Sequence, residues 1–449
     1  MVRTAFGLAL ALVAGIGCGS RTGVLSADPY GTAGVGGAPI VETPTMPRPK
    51  PDPGKPEPKP KPQPGVEVLS VAAGGVHSCA VLEAGLKCWG SYFFGVLGLG
   101  DREARGDGAN EMGDRLPLVN VGSGITVEAV FPSTDAHTCA LLSGGLVKCW
   151  GDNDFGQLGI EDPQDRGGRP GDMGDDLPFV NLGNGRRAQA IAAGANHTCA
   201  ILEDSSLKCW GNNGNRQLGA AELIPRGAYP GQMGESLPSV DLGGDSVRQV
   251  AAGWVHTCAL LQSGTVKCWG WGRGSEDDPV APFSPVTTVE FGVGSAASQI
   301  AAGGVHSCAA LNDATVRCWQ PSEHAYDSPR LFAPVVFEEG AGVSVRQLGI
   351  GGRHGCALLA SGSVQCWELG EVDGPPPRAT RIQFGAGRSV VQMSASGTRE
   401  SHHGCALLDD GDVKCWGVNK HGELGVGDVT PRAGTLDELK RVDLGTQPG

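Results

Sequence analysis

The residues with the most evident chemistry are a histidine two places before a cysteine, with a second cysteine and a tryptophan following nine or ten residues on. The pattern occurs seven times, at His77, His137, His197, His256, His306, His354 and His403. Its cysteine pairs are Cys79/Cys88, Cys139/Cys149, Cys199/Cys209, Cys258/Cys268, Cys308/Cys318, Cys356/Cys366 and Cys405/Cys415. Imidazole beside thiol could ligate zinc or form a nucleophile, and paired thiols could simply cross-link. Structural zinc sites usually leave two to four residues between the cysteines of a half-site and draw on two half-sites. Here eight or nine residues intervene and no second half-site is present, so no metal is expected. Catalysis is not indicated either, because seven equivalent histidines cannot all converge on one substrate. They read as buried imidazoles bonded between strands, and the tryptophans from Trp89 to Trp416 as packing.

These residues need elements that hold them opposite one another. In the third copy, His197, Cys199 and Ile201 alternate with Thr198, Ala200 and Leu202, which is strand periodicity. A polar break at 203–206 follows, and a second run returns through Leu207 and Cys209 to Trp210. The hairpin brings its cysteines to a Cα separation of ~4.5 to 5.5 Å, within reach of a disulfide. Seven such bonds are expected, with reduced buried thiols and another connectivity as alternatives.

Steps of 60, 60, 59, 50, 48 and 49 residues between first cysteines argue for a repeat array of short strands, a propeller. Abundant glycine (73) and proline (31) suit turns rather than long helices. A further strand-like run precedes most hairpins, at 116–121, 177–182, 237–242, 285–291, 333–337 and 379–384. The first hairpin has none, and a spare run lies at 440–444 after the last. The expected fold is therefore an all-β, seven-bladed β-propeller closed by pairing the C-terminal strand with the first blade, which removes free sheet edges.

The domain reading is a leader at 1–18, a Gly/Ala then Pro/Lys-rich linker at 19–65, and the propeller at 66–449. Arg3, the apolar run 5–16 and Cys18 suggest an export signal too short to span a membrane. Cys18, the one cysteine outside the pairs, resembles the lipid-attachment cysteine of bacterial lipoproteins. Export would supply an oxidising compartment for the pairs. Eleven prolines between 39 and 64 favour extended polyproline structure, a spacer holding the head off its attachment surface. A net charge of -13 with no basic cluster argues against nucleic acid as a partner.

After the hairpin, several copies carry a glycine turn, Gly156-Gln157-Leu158-Gly159, Arg216-Gln217-Leu218-Gly219 and Gly422-Glu423-Leu424-Gly425. With HTCAL, the returning CWG and this turn, the chain resembles the regulator of chromosome condensation repeat family, as a bacterial exported or lipoprotein-like member. The resemblance implies seven blades over about 380 residues, and says little about activity. Copies four to six lack a clean form of the turn.

The first three copies carry long insertions at 101–115, 161–176 and 222–236. Arg105, Arg166 and Arg226 recur in them, as do Met112, Met173 and Met233, followed by Asp114, Asp175 and Glu235. Recurring residues suggest ordered loops, and loops on a rigid scaffold commonly bind partners. The expected function is an extracytoplasmic binding or scaffold module, monomeric, without cofactor, presenting these loops to a protein or surface polymer. It would meet a membrane only through the lipid. Alternatives are an enzyme acting on cell-surface glycan at one mouth of the ring, and a structural envelope protein.

Overall fold

Both faces of each central strand are buried. His197–Leu202 has all six residues buried, so its alternation separates two dry faces rather than a dry one from a wet one. Cys199 and Ile201 pack with Leu218, Val247 and Trp269, whereas Ala200 and Leu202 pack with Val147, Leu158 and Trp210. A sheet buried on both sides must stand between two others, and this requirement generates the array.

The computed structural model describes residues 66–270, 286–320, 329–398, 402–434 and 439–446. The chain divides into Met1–Pro60 and Lys61–Gly449, and every described residue belongs to the second unit. The leader, Cys18 and the proline-rich stretch lie outside the described residues.

Seven small antiparallel sheets follow one another, resembling propeller blades, and none is closed into a barrel. The first comprises Val68–Ala73, His77–Leu82 and Gly85–Gly90, and the seventh Val390–Gly397, His402–Leu408 and Val413–Gly417.

Every cysteine pair stands in direct register and is bonded: Cys79 to Cys88, Cys139 to Cys149, Cys199 to Cys209, Cys258 to Cys268, Cys308 to Cys318, Cys356 to Cys366 and Cys405 to Cys415. Neither free thiols nor another connectivity occurs among these fourteen. The spacing estimate is corrected, however. The Cα atoms lie 3.9–4.1 Å apart, closer than the ~4.5 to 5.5 Å of an unbridged cross-strand pair, because the covalent bridge draws the facing strands together. Thirteen of these cysteines are buried, and Cys366 alone is half-buried. The Cys356–Cys366 bond is therefore expected to reduce first under mild thiol treatment of native protein. Alkylation and peptide mapping check this, and simultaneous reduction of all seven would contradict it.

The expected closure is corrected. In every repeat the extra run pairs with the hairpin before it, sharing an N–H to a carbonyl of the third strand, and in the fourth, fifth and sixth sheets the returning segment forms a fourth strand. Val119 donates to Leu86, Val180 to Val147, Val240 to Leu207, Val289 to Val266, Val335 to Val316 and Ile382 to Val364, at 2.7–3.0 Å. Val442 likewise donates to Val413 at 2.8 Å, so the C-terminal run completes the seventh sheet and is not a strand of the first. The physical reason is chain economy: a segment returning along the strand it has just left closes a shorter loop than one crossing to the next sheet.

Neighbouring sheets are joined by backbone bonds, such as Gly75 N–H to the Ser133 carbonyl at 2.7 Å, and by side chains. The carbonyl of the glycine turn in one sheet accepts from the tryptophan and the hydroxyl of the next: Val96 from Trp150 and Thr138, Gln157 from Trp210 and Thr198, Gln217 from Trp269 and Thr257, and Glu423 from Trp89 and Ser78. Each hydroxyl spends its proton on that carbonyl. The imidazole Nε2 of the preceding sheet must then be the donor to it, as in His77 to Thr138 (2.7 Å), His137 to Thr198 (3.0 Å), His197 to Thr257 (2.9 Å) and His403 to Ser78 (2.8 Å). The last of these links the seventh sheet to the first. Gly355 and Gly404 stand where the hydroxyl would be in the sixth and seventh sheets. There His306 Nδ1 meets the Gly352 carbonyl, and His354 stacks on His402 at 3.4 Å.

Candidate functional site

The three insertions leave the open end of the hairpins, opposite the hairpin turns, and each is anchored at once. Gly90 and Arg105 exchange backbone hydrogen bonds, as do Gly151 with Arg166 and Gly211 with Arg226. Gly90 has φ +111°, and a Cβ there would meet the His77 backbone at 2.8 Å, so only glycine fits at residue 90.

The recurring side chains are committed to the loops themselves. Arg105 binds Asp101 (2.6 Å) and Glu103, Arg166 binds Asp162, and Arg226 faces Glu222 at 3.8 Å. Met173 and Met233 are buried against Trp150 and Trp210, and Met112 packs partly buried beside Trp89. Asp175 accepts from the Ser123 N–H and hydroxyl, Glu235 from the Asn184 N–H, and Asp114 from Thr446. Hydrogen bonds from these partners hold Asp114 and Asp175 below the ordinary carboxylate range. The nine residues thus go to separate partners, the arginines to acids of their own loops, the methionines to the core and the acids to neighbouring segments, and are not gathered onto one common site.

A fourth arginine of the same kind, Arg432, escapes sequence reading because its loop is short. It exchanges backbone bonds with Gly417 and binds Asp428 at 2.8 Å. The signal that finds it is an acid four residues before the arginine, shared by Asp101/Arg105, Asp162/Arg166, Glu222/Arg226 and Asp428/Arg432.

Consecutive loops interlock. A Cβ on Gly95 would strike the backbone at Gly167 and Gly168, one on Gly156 that at Gly227 and Ala228, and one on Gly422 that at Gly106 and Asp107. The seventh, first, second and third repeats therefore present one continuous arc. Exposed on it are Tyr92, Phe93, Phe94, Phe155, Leu223, Ile224 and Tyr229, the last at 61%. Apart from Phe94 and Phe155, which both precede the turn glycine, none recurs in register through the repeats, and repeat-based reading passes over them.

Asp152, Asp154 and Asp165 in the second repeat bring carboxylate oxygens within 4.8 Å of one another, the group among the described residues that could take a cation. Burial, then neighbouring carboxylates, push Asp152 up to about 6, while it accepts from Gln157 Nε2 at 2.9 Å. The opening between the inner strands, about 210 Å³, is lined by Ala72, Ala193, Ala252, Ala302, Ala395 and their neighbours and holds no carboxylate. No helix among the described residues is long and apolar enough to cross a membrane.

Known proteins share this pattern in part. The family described as regulator of chromosome condensation (RCC1) repeat matches at residues 133–157, 188–217, 247–274 and 401–423, and in a second form at 207–260. The ultraviolet-B receptor UVR8 of Arabidopsis thaliana is 31% identical over 49% of this chain and 46% of its own length. The human E3 ubiquitin-protein ligase HERC2 is 30% identical over 45% of this chain and 4% of its own length. The chain thus spans less than half of these relatives. Among solved structures, human WBSCR16 has a TM-score of 0.57 at 21% identity, covering 79% of this chain and 92% of that one. Prp20p of Saccharomyces cerevisiae, whose structure was described with its binding to Gsp1p and histones, has 0.56 at 19%, covering 84% and 87%. At such identities these two structures speak for the fold alone.

The matches support the RCC1-repeat family and correct what was attached to it. The relatives named are plant, mammalian and yeast proteins. This overturns the bacterial, exported, lipoprotein-like reading, with its lipid at Cys18 and its place in the cell envelope or membrane. That reading rested on a dozen apolar residues before one cysteine, a pattern of composition that lies outside the described residues.

Proposed function

We propose that this RCC1-repeat chain is a protein-binding scaffold whose contact surface is the interlocked arc of loops from the first three repeats. The observation that carries the reading is the division of labour in those loops. Arginine, methionine and acid fix the backbone from within, while large apolar side chains that fix nothing are left in solvent. A rigid, pre-formed surface lowers the ordering cost of association, and exposed aromatics are favoured anchors. Protein interaction also figures in the printed descriptions of ubiquitin ligases and of Prp20p among the similar proteins. The surface-polymer and envelope alternatives lose their basis with the exported location.

Deleting whole loops would not test this, because Met173 and Met233 belong to the core. A photo-crosslinking side chain placed singly at Phe155, Ile224 or Tyr229, in the full chain within its own cells, is expected to capture protein adducts. The same group at Glu83 or Gln262, in hairpin turns at the other end of the sheets, is expected to capture few. Equal capture at both ends would refute the assignment.

A further inference from the structure

We infer that Tyr92, Phe93 and Phe94, with Arg102 and Arg115, form the docking site for a short segment of a protein partner that carries acidic residues beside a large apolar one. The inference rests on the protein-binding reading above and narrows it to one repeat.

The first observation is a substitution among sister turns. Asn153, Asn213 and Asn419 occupy the same place after Trp-Gly in the second, third and seventh repeats. There each Oδ1 accepts from a leucine N–H, Leu158, Leu218 or Leu424, at 2.9–3.0 Å. Each Nδ2 donates across the following loop, to Asp162, Glu222 and Asp428 carbonyls respectively. In the first repeat this place is Tyr92, which can make neither bond in that way. The turn closes regardless, with Gly95 N–H to the Tyr92 carbonyl at 3.1 Å, so the aromatic is not there to build it.

The second observation is exposure without internal return. Tyr92, Phe93 and Phe94 are 40%, 41% and 44% exposed, and Phe94 is held at φ +56°, a conformation costly for a bulky residue. Their rings are ordered in advance: Tyr92 and Phe93 lie 5.0 Å apart, and Phe93 stands edge-on to His421 at 5.5 Å.

The third is charge. Tyr92 borders a cleft of about 680 Å³ that also includes Arg102 and Arg115. Arg105 in the same cleft is taken by Asp101 and Glu103, and Glu111 accepts from the Gly106 and Gly108 N–H groups. Arg102 and Arg115 are exposed and have no ion-pair partner among the described residues. Two such guanidinium forks beside an aromatic ledge suit carboxylates flanking an apolar side chain. Phosphate would suit the arginines too, but nucleic acid carries a charge on every nucleotide and meets more repulsion from a chain of net charge -13 than a short segment with a few carboxylates does.

The test is selection of a random peptide library on the immobilised full chain, followed by titration of the best synthetic peptide. Acidic, aromatic or leucine-containing sequences are expected. Their affinity should fall at least ~10-fold with Phe93→Ala and with Arg102→Glu plus Arg115→Glu, and stay unchanged with Gln262→Ala in a hairpin turn at the other end of the sheets. The altered side chains are exposed, and an unchanged melting temperature confirms folding. Peptides that depend on Tyr229 or Ile224 instead would overturn this site while leaving the scaffold reading intact. Selection that yields nothing, or peptides indifferent to all these substitutions, would overturn both. Tight binding of an oligothymidylate probe, lost with the arginine reversals, would reassign the ledge to nucleic acid and reject the inference.

Discussion

A chain ending after residue 438 is expected to lose cooperative folding. Leu439, Val442 and Leu444 are each no more than 5% exposed, and Val442 and Leu444 pack with Val71, Trp89 and Leu116 of the first repeat as well as Val413 of the seventh. Burying three such side chains contributes on the order of 5 kcal/mol. Polar bonds add to it: Gly113 N–H donates to the Asp443 carbonyl at 2.9 Å, Lys87 Nζ to the Leu444 carbonyl at 2.9 Å and Thr446 N–H to Asp114 at 2.7 Å. Net stabilities of about 5–15 kcal/mol leave little margin for such a loss. The segment is a seam, finishing the last sheet and bonding to the first repeat through its outer face. Thermal melting and limited proteolysis check the result, and a truncated chain with an unchanged transition would refute it.

Acid should unfold the protein well above the pH at which most carboxylates titrate. His77, His197 and His256 are lowered to about 3, and His137 and His403 to about 4, by burial first; a neighbouring imidazole adds to the effect at His77, His197 and His256. In the unfolded chain these groups titrate near 6.5, so below that pH the unfolded state binds protons that the fold refuses. Stability is therefore complete above about pH 6.5 and falls as pH drops toward about 4. With five groups acting together, the slope approaches on the order of 5 kcal/mol per pH unit. Asp152, raised to about 6, works in the opposite sense, its contribution being lost as pH rises through that value; one carboxyl does not offset five imidazoles. Tryptophan fluorescence during acid titration should show a midpoint between about pH 6 and 4, with potentiometric uptake of several protons. A midpoint below about pH 3 would contradict the assignment.

The two expectations depend differently on what a sequence can carry. Strand period, hairpin register and cysteine pairing are local, set within a dozen residues by alternation and turn chemistry, and so they can be read along the chain. The histidines are legible as buried, yet their partners are not. Thr138 lies 61 residues from His77, and Ser78 lies 325 residues from His403. Repetition is legible too, but its meaning is inverted. Arg105, Met112 and Asp114 recur because every loop must solve the same closure problem, whereas Tyr92 is informative because it departs from the asparagine of its sisters.

Spacing along the chain suffices for the all-β repeat, its sevenfold count and the cysteine pairs, because each is a short-range consequence of residue order. Which hairpin owns each extra strand, how the seventh sheet meets the first and which loop residues face solvent emerge only once the sheets pack. Those are choices between neighbours of nearly equal local fitness. Burial on both faces of every sheet settles them, and no window of adjacent residues contains that information.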